Sequence, residues 1–238
     1  MYSFDMRVGF SQSDLQHKMT IPAIIDAYQD CSCYHSEELG VGLYFLEPKN
    51  LVWILNYWEV EFIRRPKYPE KIVVGTYPYE FKGFLGFRNF FLKDEDGNYL
   101  SKANSLWVLM DWENMKPAKV PDEVKQAYEI EPKLDMEYSS RKISIPKENC
   151  IQDKEIAPIE IVEYNLDSNG HVNNGQYIKL AMSCIKTGKE YTRLRVEYRN
   201  QAHLGDIIYP HIYETADRYV IALNNGDGVA YSVIELQF

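Results

Sequence analysis

An internal repeat constrains the fold of this 238-residue chain more than any other feature. A shift of 136 residues lays Val60-Glu61-Phe62 on Val196-Glu197-Tyr198. The same shift, without a gap, lays Glu70-Lys71-Ile72 on Asp206-Ile207-Ile208. Each copy has the pattern of a strand, a turn and a second strand. The chain is therefore expected to fold into two similar halves.

Both copies also share a helix before the strands and a hairpin after them. The spacing of apolar residues predicts one helix from about Ile21 to Leu39 and another from about Asn174 to Gly188. Turn residues predict hairpins at Asp94–Asn98 and at Asn224–Gly228. One helix followed by antiparallel strands, twice over, is typical of an α+β fold.

The composition limits the classes of function. Hydrophobic residues make up 45% of the chain, as in a folded globular protein. The net charge of -9 argues against a nucleic-acid-binding protein, because phosphate contacts need clustered cations. An acidic partner would need a local basic patch. The candidates for such a patch are Arg64, Arg65, Lys67, Arg193, Arg195 and Arg199, although scattered, solvated charge is the plainer interpretation of most of them.

The sequence predicts a cytoplasmic protein without a membrane span. Its first residues, Met1–Phe10, lack the apolar run of a signal peptide, and the nearby apolar run Leu51–Leu55 is too short to cross a bilayer. The four cysteines include a C-x-C pair and no zinc-like second pair. Buried, reduced thiols are therefore expected.

A run of polar residues stands directly before the second predicted helix. Asp167, Asn169 and His171 alternate in this run, and alternate side chains of an extended segment point to one side. They are therefore expected to converge on one reacting centre. Asn173 or Asn174 would cap the helix, whose leading amides and positive dipole end would face the same centre. Such a set of groups can polarise a carbonyl group and move a proton.

Two other interpretations compete for this run. Asx-rich loops often only form turns, because Asn and Asp side chains bond to their own backbone, and composition alone leaves that alternative open. A calcium loop would use the same alternate positions, but it needs Gly at its sixth place and a carboxylate at its twelfth. Those places hold Val172 and Ile178, so calcium is rejected. The sequence indicates neither a metal nor a cofactor.

Two motifs together point to a family. The first, D-x-N-x-H-V-N-N-x-x-Y-I, begins at Asp167, and the second, V-E-Y-R-x-x-A, begins at Val196. The pair resembles the signature of acyl-acyl-carrier-protein thioesterases, and the resemblance extends over essentially the whole chain. It implies two tandem hotdog domains, each a central helix wrapped by a curved antiparallel sheet, and hydrolysis of fatty acyl thioesters on acyl carrier protein. Plant members carry a transit peptide, so its absence here suggests a bacterial origin.

The resemblance also assigns roles to single residues. Asp167, Asn169 and His171 match the family's catalytic positions. Two further positions, often Glu then Cys, fall on Gln201 and Ala202, so no nucleophile stands there and direct attack by water is expected. Asp167 would position or deprotonate the water, Asn169 would help to hold it, and His171 would donate to the oxyanion or the leaving sulfur. Gln201 does not titrate and would orient the water by hydrogen bonds.

Three more residues are expected to bind the substrate. Asn173 and Asn174 stand at the helix start, where backbone amides would polarise the thioester oxygen. Arg199 shares one face of its strand with Glu197, so an ion pair between the two is expected as much as contact with the substrate.

The domain boundaries follow from the repeat. Residues 1–112 form the predicted N-terminal hotdog, residues 113–150 a polar linker, and residues 151–238 the C-terminal hotdog with the catalytic residues. Aligning His17 with His171 puts Ser13 and Leu15 at the places of the aspartate and the asparagine. The first copy is therefore expected to have a degenerate site and to form the acyl-chain cavity.

Other functions fit parts of the pattern. A coenzyme A thioesterase is one alternative, because hotdog proteins serve both carriers. A non-catalytic relic that binds acyl chains or carrier protein is supported only by Gln201, and the three matching catalytic residues argue against it. A hotdog dehydratase has no motif of its own here. A monomer or a homodimer is expected, because the duplication already supplies the pair that single-copy relatives build by dimerising.

Overall fold

The computed structural model describes residues 1–147, 150–151, 156–167, 170–185 and 188–238, and for residues 150–151 it describes the backbone alone. The chain divides into two compact units. Unit 1 consists of Met1–Asn56 and Val60–Tyr138, and unit 2 consists of Tyr57–Glu59 and Ser139–Phe238.

Unit 1 is built on a sheet of long strands. They are β1 (Tyr2–Arg7), β2 (Leu51–Phe62), β3 (Lys71–Lys82), β4 (Leu85–Asp94), β5 (Tyr99–Asp111) and β6 (Lys116–Pro117). Their order is β1-β3-β4-β5-β2, and β6 pairs with β5. Strand β3 pairs antiparallel with β1 and β4, and β4 pairs antiparallel with β5. The predicted hairpin at Asp94–Asn98 joins β4 to β5.

Helix α1 (Ile21–Glu38) packs against β3 and ends within one residue of its prediction. Thr20 caps it, because its Oγ1 accepts the backbone N–H of Ala23 at 3.2 Å. Three- and four-residue steps place one apolar face against the sheet. The fully buried side chains of that face are Ile24, Ile25, Tyr28 and Cys31. Two short helices, α2 (Leu43–Leu46) and α3 (Asp122–Ala127), also belong to unit 1.

Unit 2 repeats this architecture with shorter elements. Its strands are β7 (Cys150–Ile151), β8 (Ile159–Glu160), β9 (Arg193–Tyr198), β10 (Ile207–Glu214), β11 (Arg218–Asn224) and β12 (Ala230–Gln237). Their order is β9-β12-β11-β10-β7, and β8 also pairs with β10. All of these neighbours are antiparallel. Helix α4 (Asn174–Ser183) packs against β11 and β12, and the predicted hairpin at Asn224–Gly228 joins those two strands.

Helix α4 ends earlier than its predicted end near Gly188. The Cys184 amide donates to the carbonyl oxygen of Ala181 at 3.1 Å, and the Cys184 Sγ donates to that of Leu180 at 3.2 Å. The Cys184 amide thus makes an i→i−3 bond in place of the i→i−4 bond of a continuing α-helix, and the regular helix ends at Ser183. In the described ranges, no helix has both the length and the apolar character needed to cross a membrane.

Strand β9 ends at Tyr198, before the end of the V-E-Y-R-x-x-A motif. The amides of Arg199 and Asn200 both donate to the carbonyl oxygen of Tyr231, at 2.8 and 3.1 Å. Two residues therefore face one, as in a β-bulge, and the regular ladder stops there.

The polar stretch between the copies is divided between the two units. Its first part lies in unit 1, where Val120, Val124 and Tyr128 pack in one cluster with Val41, Leu46 and Leu109. A later residue, Ile143, lies in unit 2 and packs with Val220, Ala222, Ala230 and Val233. Buried apolar residues thus hold much of this stretch to the unit that precedes or follows it.

Candidate active site

The predicted catalytic residues lie on a tight turn in unit 2, called here the unit 2 hairpin (Asp167–His171). Leu166 and Val172 form an antiparallel bridge beside it, and the Asp167 amide donates to the carbonyl oxygen of His171 at 2.7 Å. The Gly170 amide donates to the carbonyl oxygen of Asp167 at 3.1 Å. Gly170 has a φ of 75°, a left-handed conformation that glycine adopts without strain. The turn therefore holds Asp167 and His171 side by side.

This geometry corrects the extended conformation predicted for the segment. Asp167 Oδ1 accepts the backbone N–H of His171 at 3.2 Å. Asp167 therefore also stabilises the turn, which is the alternative role that the sequence left open for this residue. Both side chains are half-buried. They meet because the turn closes, and not because alternate residues of a strand share a face. The third predicted residue, Asn169, lies outside the described residues.

Helix α4 begins directly after the unit 2 hairpin. Asn173 is its N-cap, one of the two predicted possibilities, because Asn173 Oδ1 accepts the backbone N–H of Gly175 at 2.8 Å. The Asn173 amide donates to the carbonyl oxygen of buried Asn165 at 2.9 Å. The carbonyl oxygen of Asn174 accepts the hydroxyl of Tyr198 at 3.0 Å. These bonds fix the positive end of the helix dipole next to the hairpin.

Backbone hydrogen bonds bring Gln201 and Ala202 to the same hairpin. The Val172 amide donates to the carbonyl oxygen of Ala202 at 3.2 Å. The Ala202 amide donates to the hydroxyl of Tyr177 on α4 at 2.9 Å. Gln201 is half-buried and precedes these contacts by one residue. Ala202 is fully buried, and its backbone N–H and carbonyl oxygen connect this segment to α4 and to the unit 2 hairpin.

His203, which is absent from the predicted site, contacts His171. The centroids of the two rings lie 5.3 Å apart, and the ring planes make an angle of 71°. The His203 amide donates to Asp206 Oδ2 at 2.9 Å, and the Tyr231 hydroxyl donates to the same oxygen at 3.0 Å. One signal for His203 exists in the sequence: the repeat aligns it with Lys67, so both copies have a basic residue at this place.

The surroundings of His171 favour its neutral form. Burial lowers the pKa of His171, the Asp167 carboxylate raises it, and His203 lowers it again. The net shift is downward, so the imidazole is neutral at pH 7. One nitrogen of a neutral imidazole accepts a proton and the other donates one. In the described part of the chain, no three histidine, cysteine or carboxylate side chains lie close enough together to hold a metal ion.

Arg199 forms the ion pair that was one of its two expected roles. Its Nη2 lies 2.8 Å from Glu197 Oε2 and donates to the carbonyl oxygen of Ile143 at 3.2 Å. The Ile143 amide donates to the same carboxylate oxygen at 2.9 Å. These hydrogen bonds from and to the ion pair hold the backbone at Ile143 against strand β9.

The arginines predicted to form a basic patch are likewise bound to carboxylates. Besides Arg199, the pairs are Arg64–Glu70, Arg65–Asp14, Arg193–Glu59 and Arg195–Glu235. A guanidinium beside a carboxylate has its charge largely compensated within the protein. Each of these five arginines therefore has a carboxylate partner within its own unit.

A matching turn exists in unit 1, called here the unit 1 hairpin (Asp14–Lys18). Ser13 and Met19 form its bridge, and the Asp14 amide donates to the carbonyl oxygen of Lys18 at 2.9 Å. Asp14 Oδ1 accepts the Lys18 amide at 3.1 Å, and the N-cap Thr20 follows. Each of these features lies 153 residues before its counterpart in unit 2.

The predicted alignment of His17 with His171 is therefore wrong by one residue. His17 has a φ of 57° and matches the left-handed Gly170, not His171. Asp14 and Lys18 stand at the places of Asp167 and His171. The first copy keeps the aspartate and has lost the histidine, the reverse of the expectation.

Arg65 holds the aspartate of the unit 1 hairpin. Its Nη1 lies 2.6 Å from Asp14 Oδ2, and the repeat places Arg65 where unit 2 has Gln201. Burial raises the pKa of Asp14, but hydrogen bonds from Arg65 and from backbone amides outweigh it, so the net shift is downward. In unit 2 a neutral carboxamide stands at the place of this cation.

The sequence matches two family models. Residues 1–128 match the acyl-ACP thioesterase N-terminal domain, and residues 148–237 match the acyl-ACP thioesterase C-terminal domain. Oleoyl-acyl carrier protein thioesterase 2 of Arabidopsis thaliana is 25% identical over 207 residues, which are 79% of this chain and 56% of that protein. Acyl-[acyl-carrier-protein] hydrolase FATB2 of Cuphea viscosissima is 29% identical over 167 residues, 64% of this chain and 39% of that protein. The chain spans about half the length of the curated relatives it matches.

Two solved structures share the fold. An acyl-ACP thioesterase from Bacteroides thetaiotaomicron has a TM-score of 0.90 and 20% identity, over 99% of this chain and 96% of that one. The 12:0-ACP thioesterase from Umbellularia californica has a TM-score of 0.83 and 17% identity, again over 99% and 96%. The predicted α+β fold of two tandem hotdog domains is confirmed. Because the two family models together cover nearly all of the sequence, this chain belongs to the acyl-ACP thioesterase family.

Proposed function

We propose that this protein hydrolyses the thioester between a fatty acyl chain and acyl carrier protein, as one step of fatty acid biosynthesis. The observation that carries the proposal is the unit 2 hairpin, where Asp167 and a neutral His171 meet at the start of α4. The matched family and the similar proteins, which are named for acyl-ACP thioesters, support this substrate. Unit 2 is then the catalytic half. Unit 1, with Lys18 in place of the histidine, is the half that encloses the acyl chain.

Water is the attacking group in this proposal. The water oxygen forms a bond to the carbonyl carbon, the C–S bond breaks, and the products are the fatty acid and the carrier thiol. Because His171 is neutral, it can take the proton that water loses and return it to the departing sulfur. Asp167 stabilises the imidazolium that exists between these two transfers.

Neighbouring polar groups hold the reacting atoms. The start of α4, at Asn173 and Asn174, directs its positive dipole end to the thioester oxygen as that oxygen becomes negative. Gln201 orients the water, and Asn169 keeps its expected role of holding it. Arg199 supports the site through its ion pair with Glu197.

The identity of the base separates two versions of this mechanism. The sequence-based expectation gives that role to Asp167, yet its Oδ1 already accepts the His171 amide. If His171 is the base, Asp167→Asn keeps part of the turnover, and the acid limb of its pH profile moves to lower pH, because the imidazolium has lost its stabilising charge. If Asp167 is the base, the same variant is inactive at every pH.

Release of free thiol tests the function itself. The purified protein is given acyl-carrier-protein thioesters and matched coenzyme A thioesters of the same chain lengths. We expect a higher kcat/KM for the carrier-protein substrates, and a loss of about 10²- to 10⁴-fold in kcat for His171→Ala. Lys18→Ala, the change at the equivalent place in unit 1, is the matched control and leaves kcat unchanged.

Three outcomes would contradict the proposal. A preference for coenzyme A thioesters would make the protein a coenzyme A thioesterase. Tight binding of acyl carrier protein without thiol release would identify a non-catalytic relic. Equal effects of His171→Ala and Lys18→Ala would remove the unit 2 hairpin from the chemistry.

We also place the reaction in the cytoplasm. Cys31, Cys33 and Cys184 are free thiols, which suits a reducing compartment. The partner is the acyl carrier protein with its bound chain, and the protein acts as a monomer or a homodimer. The candidate arginines are paired with carboxylates, so we propose that other groups contribute to binding the carrier protein.

A further inference from the structure

A buried arginine in unit 1 has only neutral partners. Arg88 lies on β4, on the same side of the strand as Phe90 and Leu92, and only 7% of it is exposed. Phe90 contacts Tyr28 of α1, so this side of β4 faces the helix. By contrast, six other arginines of the described residues form ion pairs with carboxylates. They are Arg64, Arg65, Arg193, Arg195, Arg199 and Arg218.

The contacts of Arg88 are with an imidazole, a hydroxyl and a phenol. Arg88 Nη1 lies 3.1 Å from His35 Nδ1 and donates to Thr76 Oγ1 at 3.2 Å. The ring of Tyr128 lies against the guanidinium, with its centre 5.1 Å from Cζ. Burial, together with the charge of Arg88, lowers the pKa of His35 to about 3, so this ring is neutral and its Nδ1 accepts the bond.

The hydrogen bonds to His35 and Thr76 leave one edge of the guanidinium at which a carboxylate could bind. Nη1 takes part in both of the hydrogen bonds described above, so Nε and Nη2 form the edge that faces neither His35 nor Thr76. Two parallel N–H groups on such an edge bind both oxygens of a carboxylate. No carboxylate of the described residues lies beside Arg88, although a buried cation is costly unless an anion accompanies it.

We propose that Arg88 binds the carboxylate of a ligand enclosed in unit 1. This inference rests on the proposed function, which places the acyl chain in unit 1 and makes a fatty acid the product. The carboxylate then belongs either to the far end of an acyl chain, so that the substrate class is ω-carboxylated acyl thioesters, or to a free fatty acid. Aromatic neighbours such as Tyr2, stacked on His35 with centroids 5.5 Å apart, suit the hydrocarbon part of either ligand.

Chain-length-matched thioesters test the first source. Hexanoyl and adipoyl, octanoyl and suberoyl, and dodecanoyl and dodecanedioyl thioesters of pantetheine differ only in the terminal carboxylate. The wild type is expected to favour the ω-carboxylated member of one pair by about tenfold or more in kcat/KM, as a charged hydrogen-bonded contact implies. Arg88→Met is expected to reverse the preference, and Arg88→Lys, which keeps the charge without the fork, to retain part of it.

Thermal unfolding with added dodecanoate tests the second source. If a free fatty acid is the ligand, dodecanoate raises the Tm of the wild type and not that of Arg88→Met. Either positive arm supports a carboxylate site and identifies its source. If neither the preference nor the dodecanoate effect differs between the wild type and Arg88→Met, the proposal is overturned.

The stability of the variant separates a binding role from a structural one. Replacing a buried cation that lacks a counter-charge is expected to leave the Tm unchanged or to raise it, whereas Arg195→Met, which breaks an ion pair with Glu235, lowers it. A lower Tm for Arg88→Met together with unchanged selectivity would make Arg88 structural. If Arg88→Met does not fold, Arg88→Lys decides both arms. If the wild type hydrolyses none of the pantetheine thioesters, the same pairs are compared as acyl-carrier-protein thioesters, and hydrolysis of none of those would mean that the proposed function has failed.

Discussion

The unit 1 hairpin and the unit 2 hairpin share the same hydrogen bonds at their described residues and differ in the side chain that closes the turn. In each, an aspartate side chain accepts the amide of the residue that closes the turn, a left-handed residue precedes that residue, and a helix cap follows. The closing residue is Lys18 in unit 1 and His171 in unit 2. The shared bonds belong to the scaffold that starts a helix, and the chemistry depends on a few side chains placed on it.

The residue that lies next to the closing residue of each hairpin also differs between the two units. Lys18 pairs with Lys67 in an antiparallel bridge, and at the equivalent places of unit 2 the rings of His171 and His203 are in contact. A lysine ammonium only donates hydrogen bonds, whereas a neutral imidazole both donates and accepts them. Unit 2 therefore has groups suited to proton transfer where unit 1 has two lysines.

The residue beside the aspartate completes the comparison. Arg65 binds Asp14 in unit 1, and Gln201 stands at the equivalent place in unit 2. Gln201→Arg would give unit 2 the arginine that unit 1 has beside its aspartate, and of the changes outside Asp167 and His171 it should reduce the activity most. A guanidinium paired with Asp167 would compensate the charge that stabilises the His171 imidazolium. We expect kcat for thiol release to fall by about tenfold or more.

The matched control for that experiment is Arg65→Gln. It removes the ion pair of Asp14 but leaves unit 2 unchanged, so kcat should stay at the wild-type value. A Gln201→Arg protein with normal turnover would show that a neutral residue at this place is not required.

The dependence of the rate on pH sharpens the comparison of the two basic pairs. Because burial lowers the pKa of His171, the acid limb of kcat/KM is expected below the ordinary histidine value of about 6.5. As the pH falls through this pKa, His171 becomes protonated and can no longer accept a proton from water, so activity is lost on the acid side. His203→Asn removes a neighbour that opposes this charge, and the limb should move to higher pH.

Lys67→Asn, the same change at the equivalent place of unit 1, should leave the limb where it is. A shift of the His203→Asn limb to lower pH would contradict the electrostatic role given to His203. Initial rates across the acid range, at constant ionic strength, measure both variants.

Substitutions of the two N-cap residues are expected to have the smallest effect on activity. Thr20→Ala and Asn173→Ala each remove an N-cap, and each should reduce the free energy of unfolding by about 1 kcal/mol in a denaturant titration. Only Asn173→Ala should also lower kcat, because its helix starts beside His171. Asn173→Ser, which keeps a capping oxygen, should restore both quantities. Equal losses of kcat in the two alanine variants would mean that the caps act through stability alone.

Much of the fold follows from local patterns in the sequence. The spacing of apolar residues predicts the C-terminal end of α1 to within one residue. Turn residues predict the hairpins at Asp94–Asn98 and Asn224–Gly228. The end of α4 was predicted too late, because the spacing of apolar residues does not show where the i→i−4 bonding of the backbone stops.

The site was harder to predict than the fold. Matching His17 to His171 used the identity of one residue, whereas the true correspondence lies in the turn and in the caps Thr20 and Asn173. Turn residues such as Asp, Asn and Gly substitute for one another, so a turn leaves a weak pattern in sequence. The contact of His203 with His171 depends on two distant segments that meet through backbone bonds.

The presence of both copies on one chain has a consequence for symmetry. In a dimer of identical subunits, a two-fold axis gives both subunits the same residues, so any substitution that suits one copy appears in the other as well. Positions 18 and 171 of this chain are encoded separately, so a lysine at one does not require a lysine at the other. The duplicated chain can therefore keep the same fold in both halves while their side chains diverge independently, one half towards chemistry and the other away from it.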